Sequence, residues 1–144
     1  MEYTLAIIKP DAIQGGKAGL ILNRLEEEGF RIRAARLTRL TEPEAGELYA
    51  VHRGRPFYEA LKRFMTSGPI LALALEREDA VAYLRKVIGA TDPAQAERGT
   101  IRALYAENKE RNAIHASDSE ENARREVSFF FSVQELLWTV EERG

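Results

Sequence analysis

The 144-residue sequence contains no cysteine and only two histidines, His52 and His115. That removes thiol nucleophiles, disulfides, iron–sulfur clusters and cysteine zinc sites, and leaves too little histidine for a His-rich metal centre. The missing disulfides fit a reducing compartment. Long apolar runs are also lacking: the longest, Ile70 to Leu75, has six residues, far short of the roughly 20 that span a bilayer. The first residues run from Met-Glu-Tyr directly into Thr4 to Ile8, without the basic start and apolar core of a signal peptide. A cytoplasmic location without membrane contact is the expectation. Nor does one sign of charge dominate. Twenty-one basic and 23 acidic residues give a net charge of −2, so no global positive field would gather nucleic acid. A phosphate site would have to be a local cluster of cations.

What is present is an apolar share of 44%, near that of soluble globular chains. The length matches one ordinary domain of roughly 150 residues, and no repeat, low-complexity tract or linker marks a boundary, so residues 1–144 are expected to form one domain.

Tyr3 to Ile8 is a short apolar run closed by Lys9-Pro10-Asp11, which predicts a buried strand ended by a turn. From Ala18, apolar residues recur at Ile21, Leu22 and Leu25, and Gly29 follows at a suitable C-terminal position, predicting a helix. Ile32, Ala34, Ala35 and Leu37 alternate with arginines but change phase between 34 and 35, predicting a strand with a bulge there. Thr41-Glu42-Pro43-Glu44 is a capping box for a short helix to about Ala50. Another helix opens at Pro56 with Phe57, Leu61 and Phe64 on one face, and stops at Ser67-Gly68-Pro69 before a strand from Ile70 to Leu75. Asp79 starts a helix that turns Val81, Leu84, Val87 and Ile88 inward and ends at Gly89.

Residues 90–114 show no period and read as one long irregular segment, a kind that is often functional. Ser117-Asp118-Ser119-Glu120 offers caps for a helix through Arg125. Val127 to Val133 reads as the last strand, with Leu136, Leu137 and Trp138 as an anchoring turn or helix. The order βαββαβ predicts an α+β, ferredoxin-like fold: a four-stranded antiparallel sheet covered by helices.

The chemically informative stretch is Arg111 to Ser119, where His115 precedes a capped helix whose free N–H groups favour an anion. Imidazole is nucleophilic near neutral pH when its second nitrogen is held by an acceptor, and Glu126 is a candidate for that acceptor. A lone loop histidine is more often a surface or capping residue, so the wider pattern has to decide. Gly15-Gly16-Lys17 lacks the rest of a phosphate-loop motif and reads as a turn.

Asn112-x-x-His115-x-Ser117-Asp118 resembles the active-site signature of nucleoside diphosphate kinases. Five further blocks match in order along the chain: Ile8-Lys9-Pro10-Asp11, Arg55-Pro56-Phe57, Ser67-Gly68-Pro69, Gly89-Ala90-Thr91-Asp92-Pro93 and Gly99-Thr100-Ile101-Arg102. The resemblance implies ping-pong transfer of a γ-phosphoryl group from a nucleoside triphosphate to a nucleoside diphosphate through a phosphohistidine. It implies His115 as the nucleophile, with Glu126 and Ser117 orienting it. Lys9 and Asn112 would face the ribose hydroxyls, Lys9 also neutralising charge, while Arg85, Thr91 and Arg102 would grip the phosphates. Phe57 would stack on the base and Tyr49 would support the pocket. The implied cofactor is Mg²⁺, bound mainly through the nucleotide phosphates, with no protein metal site. The implied assembly is a homo-oligomer, tetramer or hexamer.

These residue types suit the task, because phosphoryl transfer depends on positioning and on charge stabilisation, which guanidinium forks supply. A base held by its π-face predicts broad base tolerance. The chain also departs from the pattern. Ala12, Ala103 and Ala116 stand where glycine is usual, and Gly15 stands where arginine is. Val51 and Leu104 stand where acids are usual, and Lys109 replaces an apolar residue near the base. Val51 and Leu104 are the support for an alternative, a nucleotide-binding regulatory module of the same fold with weak or lost transfer. A nucleic-acid-binding module would need a basic face, which the charge balance does not provide.

Overall fold

The computed structural model describes residues 2–137. Its elements run β1 (Glu2–Ile8), α1 (Pro10–Gln14), α2 (Ala18–Glu27), β2 (Arg31–Thr38), α3 (Glu42–Leu48), a 3₁₀ turn (Ala50–His52), α4 (Tyr58–Met65), β3 (Ile70–Arg77), α5 (Ala80–Ile88), α6 (Ile101–Tyr105), β4 (Ile114–Ala116), α7 (Glu120–Phe130) and α8 (Val133–Leu136). The strands form one antiparallel sheet in the order β2-β3-β1-β4. This is the expected ferredoxin-like α+β architecture.

Helices cover both faces of the sheet, so the central strands β1 and β3 are apolar on consecutive residues instead of alternating. One face packs Ala6, Ile8, Leu73 and Leu75 against Ile21 and Leu25 of α2 and Leu84 and Ile88 of α5. The other packs Leu5, Ile7, Ala72 and Ala74 against Leu48, Met65, Val127 and Phe130. Each fully buried Leu or Ile contributes about 1.5–3 kcal/mol. Thr41 makes the predicted capping box with Glu44, which starts α3.

The principal correction concerns the fourth strand. It is not Val127 to Val133 but Ile114–Ala116, beginning where the segment expected to be irregular ends, and α7 runs on through Phe130 instead of ending at Arg125. Phe129, Phe130 and Phe131 favour a strand locally. Two features override this: the Ser119 hydroxyl caps Asn122 N–H, and Ala123, Glu126, Val127 and Phe130 fall on one helical face and are buried. Phe131 then leaves the helix in extended conformation.

Lys9-Pro10-Asp11 is not a turn but the start of α1, where Pro10 loses nothing because an N–H in the first helical turn has no partner to lose. α6 is a five-residue helix capped by Thr100, too short for its period to be visible in residues 90–114. The irregularity in β2 lies between Ile32 and Ala34, earlier than the phase change at 34 and 35, and Arg33 there is buried against Glu76 at 3.0 Å. α4 buries Tyr58 and Met65, while Phe57 at its N-terminus is 47% exposed and so does not share a core face with Leu61 and Phe64. Asp79 has φ 53° and its side chain caps nothing; the Glu2 carboxylate instead accepts from Val81 N–H at 2.8 Å. Leu136 packs at the core edge and Leu137 is exposed, whereas Trp138 lies outside the described residues.

Candidate active site

His115 is the middle residue of β4. Its neighbours Ile114 and Ala116 face the α2/α5 side of the sheet, and strand alternation therefore turns the imidazole to the other side, towards α3 and α7. There Nε2 lies 2.7 Å from Glu126 Oε1. The Ser117 hydroxyl, fully buried, donates to the same oxygen at 2.8 Å. Burial raises the Glu126 pKa, but the hydrogen bonds from His115 and Ser117 and the charge of Arg125 outweigh it and hold the carboxyl below its ordinary value. An ionised Glu126 can only accept, so the proton of neutral His115 resides on Nε2 and the lone pair on Nδ1.

Tyr49, the residue that ends α3, sets its ring edge-on to His115 at 5.7 Å between centroids. Its hydroxyl is buried with no hydrogen-bond partner, and burial, followed by the Glu126 charge, pushes its pKa up. His52 stacks on Tyr49 at 6.3 Å and meets Phe57 edge-on at 5.0 Å. An aromatic row thus leads from the imidazole of His115 to the half-exposed ring of Phe57. His52, which lies outside the His115 signature, belongs to this row, and burial with the Arg55 charge lowers its pKa. The signal lay in its place between Tyr49 and Phe57.

Lys9, at the exit of β1, is 7% exposed and donates to Asn112 Oδ1 at 2.8 Å. Burial, then the Arg102 charge, lowers its pKa to about 8, against the opposing pull of Asp11. Asn112 Nδ2 donates in turn to the Thr91 carbonyl at 3.2 Å. Arg102, on α6, donates to Gly89 O at 3.1 Å and to Ile114 O at 2.7 Å, while its Nε has no partner. Burial and the charge of Arg85 bring its pKa to about 10, so it remains a cation at neutral pH. Arg85 is exposed on α5, and its field also helps to lower the pKa of Asp118, chiefly held down by Asn122.

The structure therefore joins His115, Glu126, Ser117 and Tyr49 by contact, and Lys9, Asn112 and Thr91 by hydrogen bonds. Arg102 and Arg85 are coupled through their charges, and Phe57 through His52. Val51 and Leu104 are 64% and 53% exposed. A separate groove of about 550 Å³ between β1, α7 and α8 contains none of these residues. Among the described residues no group of three or more His, Asp or Glu side chains could hold a metal ion, and no helix is long and apolar enough to cross a membrane.

A βαββαβ sheet carrying a carboxylate-held imidazole beside buried cations is the framework of a phosphotransferase. The chain belongs to the nucleoside diphosphate kinase family, whose model matches residues 2–136. The nucleoside diphosphate kinase of Chlorobium limicola is 53% identical over 137 residues, covering 95% of this chain and 98% of its own length. That of Sorangium cellulosum is 54% identical over 136 residues, 94% of either chain. Among solved structures, the Aquifex aeolicus nucleoside diphosphate kinase superposes with a TM-score of 0.92 at 48% identity, over 94% of this chain and 99% of its own. The Halobacterium salinarum enzyme, solved in complex with CDP, gives 0.91 at 39% identity, over 99% and 95%.

Proposed function

We propose that this chain moves the γ-phosphoryl group of a nucleoside triphosphate to a nucleoside diphosphate in two half-reactions through His115. The observation that carries the reading is the Ser117–Glu126–His115 chain, which reserves Nδ1 for attack. In the first half-reaction the Nδ1 lone pair forms a bond to the γ-phosphorus, and the bond from that phosphorus to the bridging β,γ-oxygen breaks. Its electrons leave with the nucleoside diphosphate. Nε2 keeps its proton, and the Glu126 carboxylate faces the positive charge that develops on the ring. The second half-reaction reverses these events with another diphosphate.

Arg102, Arg85 and Lys9 supply the positive charge for the equatorial oxygens. Mg²⁺ enters with the nucleotide, bound through its phosphates and water, as suits an ion that dehydrates reluctantly. Phe57 offers its face to the base, and Asn112 with Lys9 meets the sugar. The reading includes a cytoplasmic homo-oligomer, a tetramer or hexamer. Supporting assembly, β2 forms one margin of the sheet and Leu37 on it is 67% exposed.

The test is intact mass after brief exposure to ATP and Mg²⁺, and again after GDP is added, beside His115→Ala. The expected result is a gain of one phosphoryl group that GDP removes and that the variant never acquires. Nucleotide binding without that gain would overturn the reading and favour the regulatory module.

A further inference from the structure

Ala113 links the nucleotide-facing Asn112 to the strand that carries His115, and its φ is 76°, a region that residues with a Cβ seldom enter. Ile114 N–H donates to Asn112 O at 2.9 Å, two residues back. Positive φ with that bond makes a γ-turn of the rare, strained kind. Such a turn persists only where its surroundings over-determine it. Here two neighbours do so. Asp11 Oδ2 accepts from Ala113 N–H at 3.0 Å, and Lys9 N–H donates to Ala113 O at 2.9 Å. Asp11 is 6% exposed on α1, and its other oxygen, Oδ1, is buried without a partner. A buried carboxylate that spends a single oxygen on one backbone N–H, in the same peptide stretch whose carbonyl its neighbour Lys9 holds, is placed to control that backbone.

We infer that Asp11 is a positioning residue for phosphoryl transfer: its carboxylate holds the Ala113 γ-turn, which fixes Asn112 against Lys9 and sets the entry of His115 into β4. The inference rests on the reading of His115 as the nucleophile. Asp11 touches neither substrate nor reacting atoms. It acts through a turn that would otherwise relax towards negative φ, rotating the Asn112 peptide away from the strand. Misplacement of a nucleophile by about an ångström costs on the order of 10²-fold in rate.

The experiment separates geometry from charge with Asp11→Asn, Asp11→Glu and Asp11→Ala, each measured for kcat and KM with ATP, Mg²⁺ and GDP. Asn keeps an acceptor at the same reach and removes the charge; Glu keeps the charge and displaces the acceptor by a methylene. The expected losses in kcat are about threefold or less for Asn and about 10- to 100-fold for Glu and Ala, with KM shifted far less. Replacing Ala113 by glycine in the Asp11→Ala background, Asp11→Ala with Ala113→Gly, removes the strain and should recover most of the loss.

If Asp11→Ala does not fold, the contrast between Asn and Glu decides alone. A parental kcat in Asp11→Glu, or a collapse in Asp11→Asn with Asp11→Glu active, overturns the inference, as does a double variant no faster than Asp11→Ala. His115→Ala, run alongside, tells the two readings apart: turnover without the histidine defeats the nucleophile itself, whereas a histidine-dependent enzyme indifferent to Asp11 defeats only the positioning role.

Discussion

Lys9 sits in the most consequential electrostatic balance of the site. Burial and the neighbouring Arg102 bring its pKa from an ordinary 10.5 to about 8, so the ammonium is present at neutral pH and lost in mild alkali. Because kcat/KM reports the free enzyme, it is expected to fall above pH 8 in the parent. In Lys9→Gln, already slower, that alkaline limb should vanish; a limb that survives would assign the titration elsewhere. Stability runs the opposite way. Between about pH 8 and 10.5 the unfolded chain still binds the proton that the folded chain has released, so this residue makes folding more favourable as pH rises through that window.

Single residues also mark what the sequence could and could not convey. The pairing of His115 with Glu126 was legible from residue chemistry, whereas Ser117, Lys9 and Asn112 entered through the resemblance to the family pattern, and the structure brings them into contact as two hydrogen-bonded groups. Asp11 was seen only as a motif letter, because its contact is with the backbone of a residue 102 positions away, and backbone contacts leave no trace in residue type. His52 was passed over for a related reason: its neighbours are aromatic rings brought together by the 3₁₀ turn.

Among the elements, legibility followed length and burial on a repeating face. α2 and α5 follow a clear helical period, and β1 and β3 carry unbroken apolar runs, Leu5 to Ile8 and Ile70 to Leu75, because both sides are covered. β4 has three residues and therefore no period, and it became a strand through pairing with β1, from Ala6 with Ala116 to Ile8 with Ile114. α7 was masked by its own phenylalanines. The junction between α5 and α6 offers a test of how tightly elements are coupled here. Gly89 ends α5 with φ 88°, and a Cβ there would lie 2.5 Å from Thr100 Oγ1, the cap of α6. Gly89→Ala should cost about 2–4 kcal/mol and lower Tm by roughly 5–15 °C in a thermal scan. Gly19, inside α2, has open space around it, and Gly19→Ala should instead stabilise by about 0.5–1 kcal/mol. Equal effects at the two glycines would contradict this account.

For the whole molecule, the sheet has two margins with different characters. β4 lies at one, carrying the histidine, and β2 lies at the other with Leu37 outward. Three strand spacings, about 14 Å, separate them, so an assembly formed along β2 would leave the imidazole uncovered. Light scattering at micromolar concentration is expected to give the mass of a tetramer or hexamer; the mass of a single chain would overturn the proposed assembly.

The hydrogen bonds of Arg102 and Lys9 have a consequence for the pace of exchange. Both cations are tied to the protein's own oxygens, Arg102 to two carbonyls and Lys9 to Asn112. A long charged side chain carries about 2 kcal/mol of rotamer entropy, and here much of that freedom is surrendered when the chain folds, not when a nucleotide arrives. In the proposed cycle the incoming phosphates meet side chains already ordered, so little contact energy is spent on ordering them and few contacts suffice to hold each nucleotide. Rapid turnover of visitors is what a site needs when every cycle must admit one nucleotide, discharge it, and admit another in the same place.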